Sequence, residues 1–316
     1  MNEFGKKVYC LMGPTAVGKS EIAILMAQRF PFEIVSVDSA MVYRGMDIGT
    51  AKPSQAQLNS IPHHLINIRD PQESYSVGQF CHDFYNTIND IYIRGKLPLL
   101  VGGTMMYFNA IQRGISNLPE SDAKIRQALK MELANGGIEV LHAQLRKVDP
   151  LSAFRININD SQRIQRALEV YELTGVPLSK LYAEPTADRI HHCFVNLVIF
   201  VKDEDKELFQ KRIKERFVNM MKNGFIEEVK SLYLGGNVNS SMSSMKSIGY
   251  REIWRYLSGD LSYDEIMELV FRATKQLAKH QITWLKRWKN DAQWLHWEIN
   301  VEQMASKCLS LIDSNN

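Results

Sequence analysis

One eight-residue segment constrains the fold of this chain more than any other. It matches the complete GxxxxGK[ST] pattern of a phosphate-binding loop and consists of Gly13, Pro14, Thr15, Ala16, Val17, Gly18, Lys19 and Ser20. A β-rich run, KVYCLMG, leads into the loop, and the helix-forming run EIAILMAQRF follows it. In such a loop the backbone wraps an anion, Lys19 reaches the outer phosphate and the Ser20 hydroxyl can ligate Mg²⁺. The segment predicts a strand, a loop and a helix that bind a diphosphate or a triphosphate.

Continuous apolar runs elsewhere predict the rest of a parallel sheet. Residues 32–38 (FEIVSVD), 97–103 (LPLLVGG) and 193–203 (CFVNLVIFVKD) have the unalternating apolar character of strands that are covered on both faces. A helical segment that starts at Ser76, SVGQFCHDFYNTINDIYIRG, falls between two of them. Because strands and helices alternate, we predict an α/β fold with a P-loop NTPase-like parallel sheet as its core.

The middle of the chain has a different pattern. Residues 118–189 are helical and polar, as in SDAKIRQALKMELANGG and DSQRIQRALEVYELTG, and contain no strand-like run. We therefore predict that an all-helical domain, residues 118–189, is inserted into a core formed by residues 1–117 and 190–316. Residues 237–247, NVNSSMSSMKS, are typical of a mobile loop.

Composition and cysteine spacing favour a cytoplasmic protein. The chain is 45% apolar and 23% charged, which is ordinary for a soluble globular protein. Its 4 cysteines stand far apart without a CxxC pair, and we interpret them as reduced thiols. The apolar run before Gly13 is too short for a signal peptide, and no later run has the length of a membrane span. We expect neither export nor membrane insertion.

Polar side chains at two strand ends are candidates for the reaction. The NKxD base-reading motif of GTPases is absent. Asp38 ends a strand and precedes a polar loop, SAMVYRGMDIGTAKP, at the edge where open α/β sheets bind ligands. This acid either serves a metal, as in an ATPase, or acts on the ligand of the phosphate loop. Thr104 follows two glycines at another strand end, where it either contacts a substrate or caps a helix.

An arginine interrupts an apolar stripe in residues 203–224. The stripe has helical spacing and consists of Phe209, Ile213, Phe217 and Met220. Arg216 falls inside this stripe, where a guanidinium needs an anion. Either it forms a buried pair with an Asp or Glu, or it faces the diphosphate from the side opposite the phosphate loop. Arg212, near the edge of the stripe, is a weaker candidate for the same role.

Positive charge is concentrated near the carboxyl end. The net charge is only +3, yet residues 269–290 hold six cations and no acid: Arg272, Lys275, Lys279, Lys286, Arg287 and Lys289. In the predicted basic helix, residues 272–289, one face carries mostly apolar and aromatic side chains. These are Leu277, Gln281, Trp284, Leu285 and Trp288. Cations with His280 and aromatic side chains suit phosphate contacts and base stacking, although an ordinary amphipathic helix remains possible. In the insertion, Arg163 and Arg166 lie beside an apolar stripe, and Arg166 can instead pair with Glu169.

Six motifs in order resemble one known family. They are GPTAVGKS, VDSAMVYRGMDIGTAKP, LLVGGTMMYF, QRIQRALEVYELTG, SIGYRE and LAKHQITWLKRW. Together they resemble the bacterial tRNA dimethylallyltransferases from about Val8 to Trp288, with Ser20 in place of the family's common threonine. The resemblance implies a P-loop core with a helical insertion. It implies transfer of a dimethylallyl group from dimethylallyl diphosphate to N6 of adenine 37, next to the anticodon, in tRNAs that read codons beginning with U. The products are N6-isopentenyladenosine and diphosphate.

The resemblance also assigns roles to residues. Asp38 is the general base, and Lys19, Thr104 and Arg216 complete the catalytic set. Residues 13–20, a nucleotide-type (ATP-binding) loop, hold the diphosphate, and Ser20 binds the cofactor Mg²⁺. The positions that match tRNA contacts are Asp38, Ser39, Ala40, Met41, Thr104, Arg126, Gln162, Arg163, Ile164, Gln165, Arg166, Lys246, Ser247, Ile248, Gly249, Tyr250, Arg251, Lys279, His280, Gln281, Ile282, Thr283, Trp284, Leu285 and Lys286. The implied partner is the tRNA anticodon stem-loop, bound by a cytoplasmic monomer.

Other functions are compatible with parts of this pattern. A small-molecule or nucleotide kinase would use the same loop, with the insertion as its lid, but has no need of the basic helix. A related family transfers the allyl group to free adenine nucleotides, and the basic helix argues against it. A protein that only binds RNA would leave a complete phosphate loop without a role.

Overall fold

The residues that a computed structural model describes, 7–114, 116, 118–183 and 192–314, contain six strands that form one sheet. The strands are β1 (Lys7–Met12), β2 (Phe32–Val37), β3 (His63–His64), β4 (Leu97–Gly102), β5 (Cys193–Phe200) and β6 (Gln293–His296). They lie in the order β3-β2-β4-β1-β5-β6, and every neighbouring pair is parallel. The predicted α/β fold with a P-loop-like parallel sheet is confirmed. The two short edge strands, β3 and β6, were not predicted.

Helices cover both faces of the sheet. Four of them precede the insertion: α1 (Lys19–Arg29), α2 (Gln55–Ser60), α3 (Val77–Ile93) and α4 (Met105–Arg113). Successive side chains of a strand face opposite sides of its sheet. Tyr9 and Leu11 of β1 accordingly belong to the core that contains α1, whereas Val8 and Cys10 belong to the core of α3 and α4. Burial on both faces explains why these strands are mostly apolar.

Residues Arg113–Ile190 form a separate compact unit, here called the insertion unit. The elements in its described residues are all helices: α5 (Ala123–Val148), α6 (Pro150–Arg155), α7 (Ser161–Thr174) and α8 (Leu178–Ala183). A small apolar core joins Leu129 and Leu141 of α5 to Ile164 and Leu168 of α7. The predicted boundaries of this insertion fall at 117/118 and 189/190, and residues 117, 189 and 190 lie outside the described residues.

The chain after the insertion completes the unit that holds the sheet, here called the core unit (Met1–Gln112 with His191–Asn316). Its helices are α9 (Lys206–Lys222), α10 (Phe225–Leu234), α11 (Tyr250–Leu257), α12 (Tyr263–Leu285) and α13 (Val301–Asp313). Within the part of the chain that the structure describes, every helix is too short or too polar to cross a bilayer.

The loop predicted at residues 237–247 is ordered in its second half. Ser244 begins a 3-10 turn, Ser244–Lys246, and both Ser244 and Met245 are buried. The Ser244 hydroxyl donates to the carbonyl of Pro71 at 2.6 Å. The prediction of a mobile loop is therefore wrong for this half, because a serine-rich sequence conceals one buried methionine and one buried hydrogen bond.

Candidate active site

The phosphate loop, residues 13–20, joins β1 to α1 as predicted. Gly18 precedes α1 with φ 88, a left-handed conformation that suits glycine, and turns the chain into the helix. The Lys19 ammonium group folds back over the loop and donates to the carbonyls of Gly13 at 2.9 Å and Pro14 at 2.7 Å. These contacts hold the cation at the mouth of the loop, where a bound anion would meet it.

The surroundings of Lys19 weaken its affinity for a proton. Burial, assisted by the nearby Arg216 guanidinium, lowers the pKa of Lys19 to about 7, while Asp38 acts in the opposite direction. A cation that is destabilised in this way gains more from a bound anion than a solvated lysine does. The loop is therefore prepared for a strongly anionic ligand.

Thr15 connects the phosphate loop to two distant helices. Its hydroxyl accepts a hydrogen bond from Nη1 of Arg216 in α9 at 2.8 Å. Its backbone N–H donates to Oε1 of Gln281 in α12 at 2.7 Å, and Nε2 of Gln281 donates to the carbonyl of Gly103 at 2.9 Å. A Cβ atom at Gly103 would lie 2.3 Å from that Nε2, so a larger residue there would displace the Gln281 amide from this contact. Gln281 thus fastens the basic helix to the loop, a role that the sequence did not reveal.

Two arginines of α9 lie against the loop. Among the described residues no carboxylate lies within 4.0 Å of the Arg216 guanidinium, so the alternative of a buried ion pair is not observed. Burial lowers the pKa of Arg216, and Asp38 opposes this effect. Arg212 donates through Nε to the carbonyl of Ala16 at 2.8 Å, and its Nη2 lies 3.9 Å from Oε2 of Glu21. Two guanidinium groups therefore surround the loop together with Lys19.

Asp38 follows β2 directly and is fixed by its own turn. Its Oδ1 accepts the backbone N–H groups of Ala40 at 2.8 Å and Met41 at 3.2 Å. No residue that the structure describes donates a hydrogen bond to its Oδ2. The carboxylate is thus oriented through one oxygen and has the other available to a ligand.

Thr104 lies at the start of α4 and links it to the strand end that precedes Asp38. Its carbonyl accepts the N–H of Tyr107 at 2.9 Å, which places it at the start of α4. Its hydroxyl does not cap that helix and instead accepts the N–H of Ser39 at 3.2 Å. Its own N–H donates to the carbonyl of Val37 at 3.2 Å. Thr104 therefore holds the strand end that carries Asp38.

Two cavities in the core unit share part of their lining, which includes Asp38 and Arg216. The first has a volume of about 850 Å³ and contains the phosphate loop, and the second has a volume of about 460 Å³ and lies along α12. The residues that line both are Thr15, Asp38, Thr50, Gly103, Arg216, Met220, Leu277 and Gln281. Lys19 and Ser20 line only the first cavity, and Thr104, Lys246 and His280 line only the second. Asp38 therefore stands between an anion site and a second compartment.

Glu228 of α10 shapes the first cavity and was not predicted. Its carboxylate accepts the backbone N–H groups of Asp47 at 2.9 Å, Ile48 at 2.7 Å and Gly49 at 3.2 Å. The hydroxyl of Tyr250 donates to the same carboxylate at 2.5 Å. The polar loop after Asp38 is therefore held from outside by a side chain whose sequence surroundings carry no signal.

The positions expected to contact tRNA in the core unit divide by exposure. Exposed charged or ionisable side chains are Lys246, Arg251, Lys279, His280 and Lys286. Tyr250, Gln281 and Leu285 are buried, with Gln281 only 7% exposed. Tyr250 and Gln281 nevertheless line the second cavity. Leu277, which the sequence places on one face of the helix with Gln281 and Leu285, is 38% exposed and lines both cavities.

In the insertion unit the expected arginines have acidic partners. Arg126 and Arg166 both bind the buried carboxylate of Glu169, at 3.0 Å and 2.8 Å. The alternative that Arg166 pairs with Glu169 is thus the arrangement observed. Arg163 is exposed and pairs with Asp160 at 2.9 Å. Gln162 is exposed and Gln165 is partly exposed, whereas Ile164 is fully buried in the helical core and is not available for RNA.

The fold and the site define a P-loop protein with an anion-binding site. The sheet is parallel, the phosphate loop follows its first strand, and three cationic side chains surround that loop.

The sequence profile of the IPP transferase family matches residues 41–288. A tRNA dimethylallyltransferase of Coxiella burnetii (strain RSA 493 / Nine Mile phase I) is 48% identical over 291 residues, which are 92% of this chain and 93% of that protein. One from Legionella pneumophila (strain Lens) is 50% identical over 284 residues, 90% of each chain.

Solved structures agree with these matches. The full-length tRNA isopentenylpyrophosphate transferase of Bacillus halodurans superposes with a TM-score of 0.70 at 34% identity, over 98% of this chain and 96% of that one. A eukaryotic dimethylallyltransferase acting on tRNA gives a TM-score of 0.81 at 29% identity, over 98% and 80% of the two chains. The chain belongs to the tRNA dimethylallyltransferase family.

Proposed function

We propose that this protein transfers the dimethylallyl group of dimethylallyl diphosphate to N6 of adenine 37 in tRNAs that read codons beginning with U. The observation that carries the proposal is the position of Asp38 between two cavities, one with a phosphate loop and one along a basic helix. The bond from carbon to the diphosphate oxygen breaks, and a bond from N6 to that carbon forms. The products are N6-isopentenyladenosine and diphosphate.

The cations of the first cavity stabilise the leaving group. Cleavage of the carbon–oxygen bond builds negative charge on the diphosphate, and groups already placed for that charge lower the barrier. Lys19, Arg212 and Arg216 surround the loop at hydrogen-bonding distance from its own atoms. Their hydrogen-bond partners in the loop are neutral carbonyl and hydroxyl oxygens, and diphosphate oxygens are better acceptors for these cations.

Asp38 removes the proton from N6. The lone pair of this amine is delocalised into the ring, so the nitrogen is a poor nucleophile until positive charge on it is relieved. Oδ1 is held by the amides of Ala40 and Met41, which keeps the carboxylate oriented while Oδ2 accepts the proton. Thr104 supports this geometry through its hydrogen bond with Ser39.

Mg²⁺ is the cofactor that we propose. Mg²⁺ binds oxygen ligands, usually one or two from the protein together with phosphate oxygens and water. The hydroxyl of Ser20 lines the cavity that contains the phosphate loop and supplies such an oxygen. When bound, the ion adds positive charge at the diphosphate. Ser20 would hold it at the first turn of α1.

The second cavity receives the target adenine. A base of an anticodon loop must leave its stack before an enzyme can modify it. Lys246 and His280 line this cavity. The exposed Lys279 lies on α12 and the exposed Lys286 follows its last residue. These side chains bind the RNA backbone beside the extruded base. Both cavities belong to one chain, so we propose that a monomer acts on tRNA in the cytoplasm.

Incubation of the purified protein with labelled dimethylallyl diphosphate, Mg²⁺ and unmodified tRNA tests the proposal. Label is expected in the tRNA, at the adenine next to the anticodon. A parallel reaction with γ-labelled ATP and nucleoside monophosphates tests the kinase alternative. Phosphoryl transfer from ATP without label in tRNA would overturn the proposed function.

A further inference from the structure

One carboxylate joins a wall of the first cavity to a wall of the second. Glu228 accepts three successive backbone N–H groups, from residues 47–49, and also the hydroxyl of Tyr250. Each residue of segment 47–50 lines one or both cavities, and residues 246–250 line the second. Glu228 itself lines neither, so its contribution to a reaction there is made through these two segments.

The hydrogen bonds of Glu228 require a carboxylate at this position. Oε2 accepts the N–H groups of Asp47 and Ile48, whereas Oε1 accepts the N–H of Gly49 and the Tyr250 hydroxyl. An ionised carboxylate has two oxygens with about four acceptor positions, and its hydrogen bonds are stronger than those of a neutral group. A glutamine has one acceptor oxygen and cannot hold both segments in the same way.

Tyr250 is a fixed donor to this carboxylate. Burial, followed by the charge of Glu228, raises the pKa of Tyr250, so its hydroxyl stays protonated and donates. Its ring is fully buried and meets the Phe225 ring edge-on, with 4.9 Å between the ring centroids. A displacement of the segment that carries Tyr250 therefore reaches Glu228 through a ring that is held by packing.

Two glycines show how closely the segments pack around Phe225. A Cβ atom at Gly49 would lie 2.1 Å from the Phe225 ring and 2.5 Å from the Tyr250 ring. A Cβ atom at Gly249 would lie 2.6 Å from the Phe225 ring. Densely packed interiors transmit strain because they have few voids to absorb a displacement. The walls of the two cavities are thus in contact with the same aromatic ring as well as with the same carboxylate.

We propose that Glu228 is a positioning residue that couples the two cavities, so that tRNA held against residues 246–250 restrains segment 47–50 and strengthens donor binding. The inference rests on the proposed function, which assigns the donor to the first cavity and tRNA to the second. A ligand that binds an already restrained wall loses less conformational entropy. Coupling between binding sites is reciprocal, so the donor strengthens tRNA binding by the same factor.

The coupling is measured as a ratio of two dissociation constants. Calorimetry gives the affinity for dimethylallyl S-thiolodiphosphate, an unreactive analogue of the donor, without tRNA and with saturating unmodified tRNA. Wild type should bind the analogue about 5- to 150-fold more tightly when tRNA is present, the usual range for coupled sites.

Two substitutions remove the link at different atoms. Tyr250→Phe keeps the ring and removes only the hydroxyl, and Glu228→Gln removes one acceptor oxygen. Each should bring the ratio close to that of independent sites, and the double variant should lower it no further, because both changes act on one link. The matched controls are Glu227→Gln, at an exposed neighbour in α10, and Tyr233→Phe, at a ring that packs on Trp254. Both controls should keep the wild-type ratio.

Hydrogen exchange provides a second measurement. The backbone N–H groups of residues 47–49 are protected by Glu228, and their exchange reports local opening of this segment. Addition of tRNA should slow their exchange in wild type and should not slow it in Tyr250→Phe. If Glu228→Gln fails to fold, Tyr250→Phe and the wild-type exchange decide the question.

The outcomes separate this inference from the proposed function. Wild-type protein that neither binds tRNA nor places label in it contradicts the proposed function itself. If wild type labels tRNA and Tyr250→Phe keeps the wild-type ratio, only the coupling role is lost. A lower melting temperature of Glu228→Gln with an unchanged ratio would show that the carboxylate serves stability alone. Exchange at residues 47–49 that is unaffected by tRNA in wild type would also overturn the inference.

Discussion

Nη1 of Arg216 donates a hydrogen bond to the hydroxyl of Thr15 at 2.8 Å, across more than half of the chain. The arginine that interrupts an apolar stripe of α9 therefore ends on the phosphate loop. Its partner is neutral, and no described carboxylate balances its charge within ion-pairing distance. A guanidinium kept in this condition is stabilised when an anion arrives.

Arg216→Gln should lower kcat/KM for dimethylallyl diphosphate by about 10² to 10³, comparable to the loss of one oxyanion donor. The melting temperature should change little, since the replaced contact is a single hydrogen bond to a hydroxyl. Steady-state kinetics and thermal unfolding measure the two effects. Lys214→Gln, an exposed position of the same helix, is the control. A large fall in melting temperature with intact kinetics would show that Arg216 serves stability.

Asp38→Asn should reduce turnover by about 10² to 10⁴, because the amide cannot take the proton from N6. Asparagine keeps the oxygen that accepts the amides of Ala40 and Met41, so tRNA affinity should be preserved. Single-turnover transfer and tRNA binding measure these quantities. Asp70→Asn, at an exposed acid paired with Arg44, is a matched control. Unchanged turnover would mean that Asp38 is a structural or metal-associated acid.

The sheet could be predicted where its strands are long and buried. β1, β2, β4 and β5 are largely buried and mostly apolar, so they stand out as nearly continuous apolar runs. β3 consists of two histidines, and β6 of four residues that include Gln293 and His296, so neither has a pattern to detect. β3 pairs with β2, and β6 pairs with β5, because the fold places these segments side by side, and no local sequence pattern specifies the pairing.

The site could be predicted only in part, for a related reason. A complete loop motif specifies local geometry, so residues 13–20 were found from sequence. Gln281 and Glu228 act through hydrogen bonds to segments far away in the chain, and periodicity cannot distinguish such a polar residue from a packing residue. The position of Arg216 in an apolar stripe was informative because burial of a cation demands a partner.

Lys19 should take up a proton when the diphosphate binds. Its pKa is lowered to about 7 in the free protein, so at about pH 8 the amine is mostly neutral, and an anionic ligand favours its charged form. At about pH 6 the amine is already charged, and this uptake should vanish. Calorimetry with dimethylallyl diphosphate in buffers of different ionisation enthalpy measures it. Lys19→Met should abolish the dependence on buffer at the higher pH. Equal heats in all buffers for wild type would contradict the lowered pKa.

Gln281→Met should raise the KM for the donor roughly 5- to 100-fold, the worth of two lost hydrogen bonds, because Thr15 and Gly103 lose their link. Methionine has a similar volume, so packing in α12 is kept. Binding of tRNA should be unaffected, since the side chain is buried. Gln276→Met, on the exposed side of the same helix, is the control. Weaker tRNA binding with normal donor kinetics would instead make Gln281 an RNA contact.

Changing Lys279 and Lys286 together to alanine should weaken tRNA binding and leave donor binding alone. Both side chains are exposed on or just after α12, and no carboxylate in the described residues pairs with them. Each phosphate contact that is lost should make the plot of log affinity against log salt shallower by roughly 0.7 to 0.9, depending on whether the RNA there is single- or double-stranded.

The matched control for this pair is Lys96→Ala. Lys96 is an exposed lysine just before β4, at the amino-terminal end of the parallel strands, and the phosphate loop follows the carboxyl end of β1. Its salt slope should equal that of wild type, because the residue lies on the side of the sheet away from both cavities. Binding assays at four or more salt concentrations give the slopes, and donor kinetics at low tRNA occupancy give the second readout. If the double variant loses donor binding as much as it loses tRNA binding, the role of α12 is to hold the phosphate loop through Gln281, and its cations do not bind RNA. If its slope matches wild type, the RNA backbone lies elsewhere.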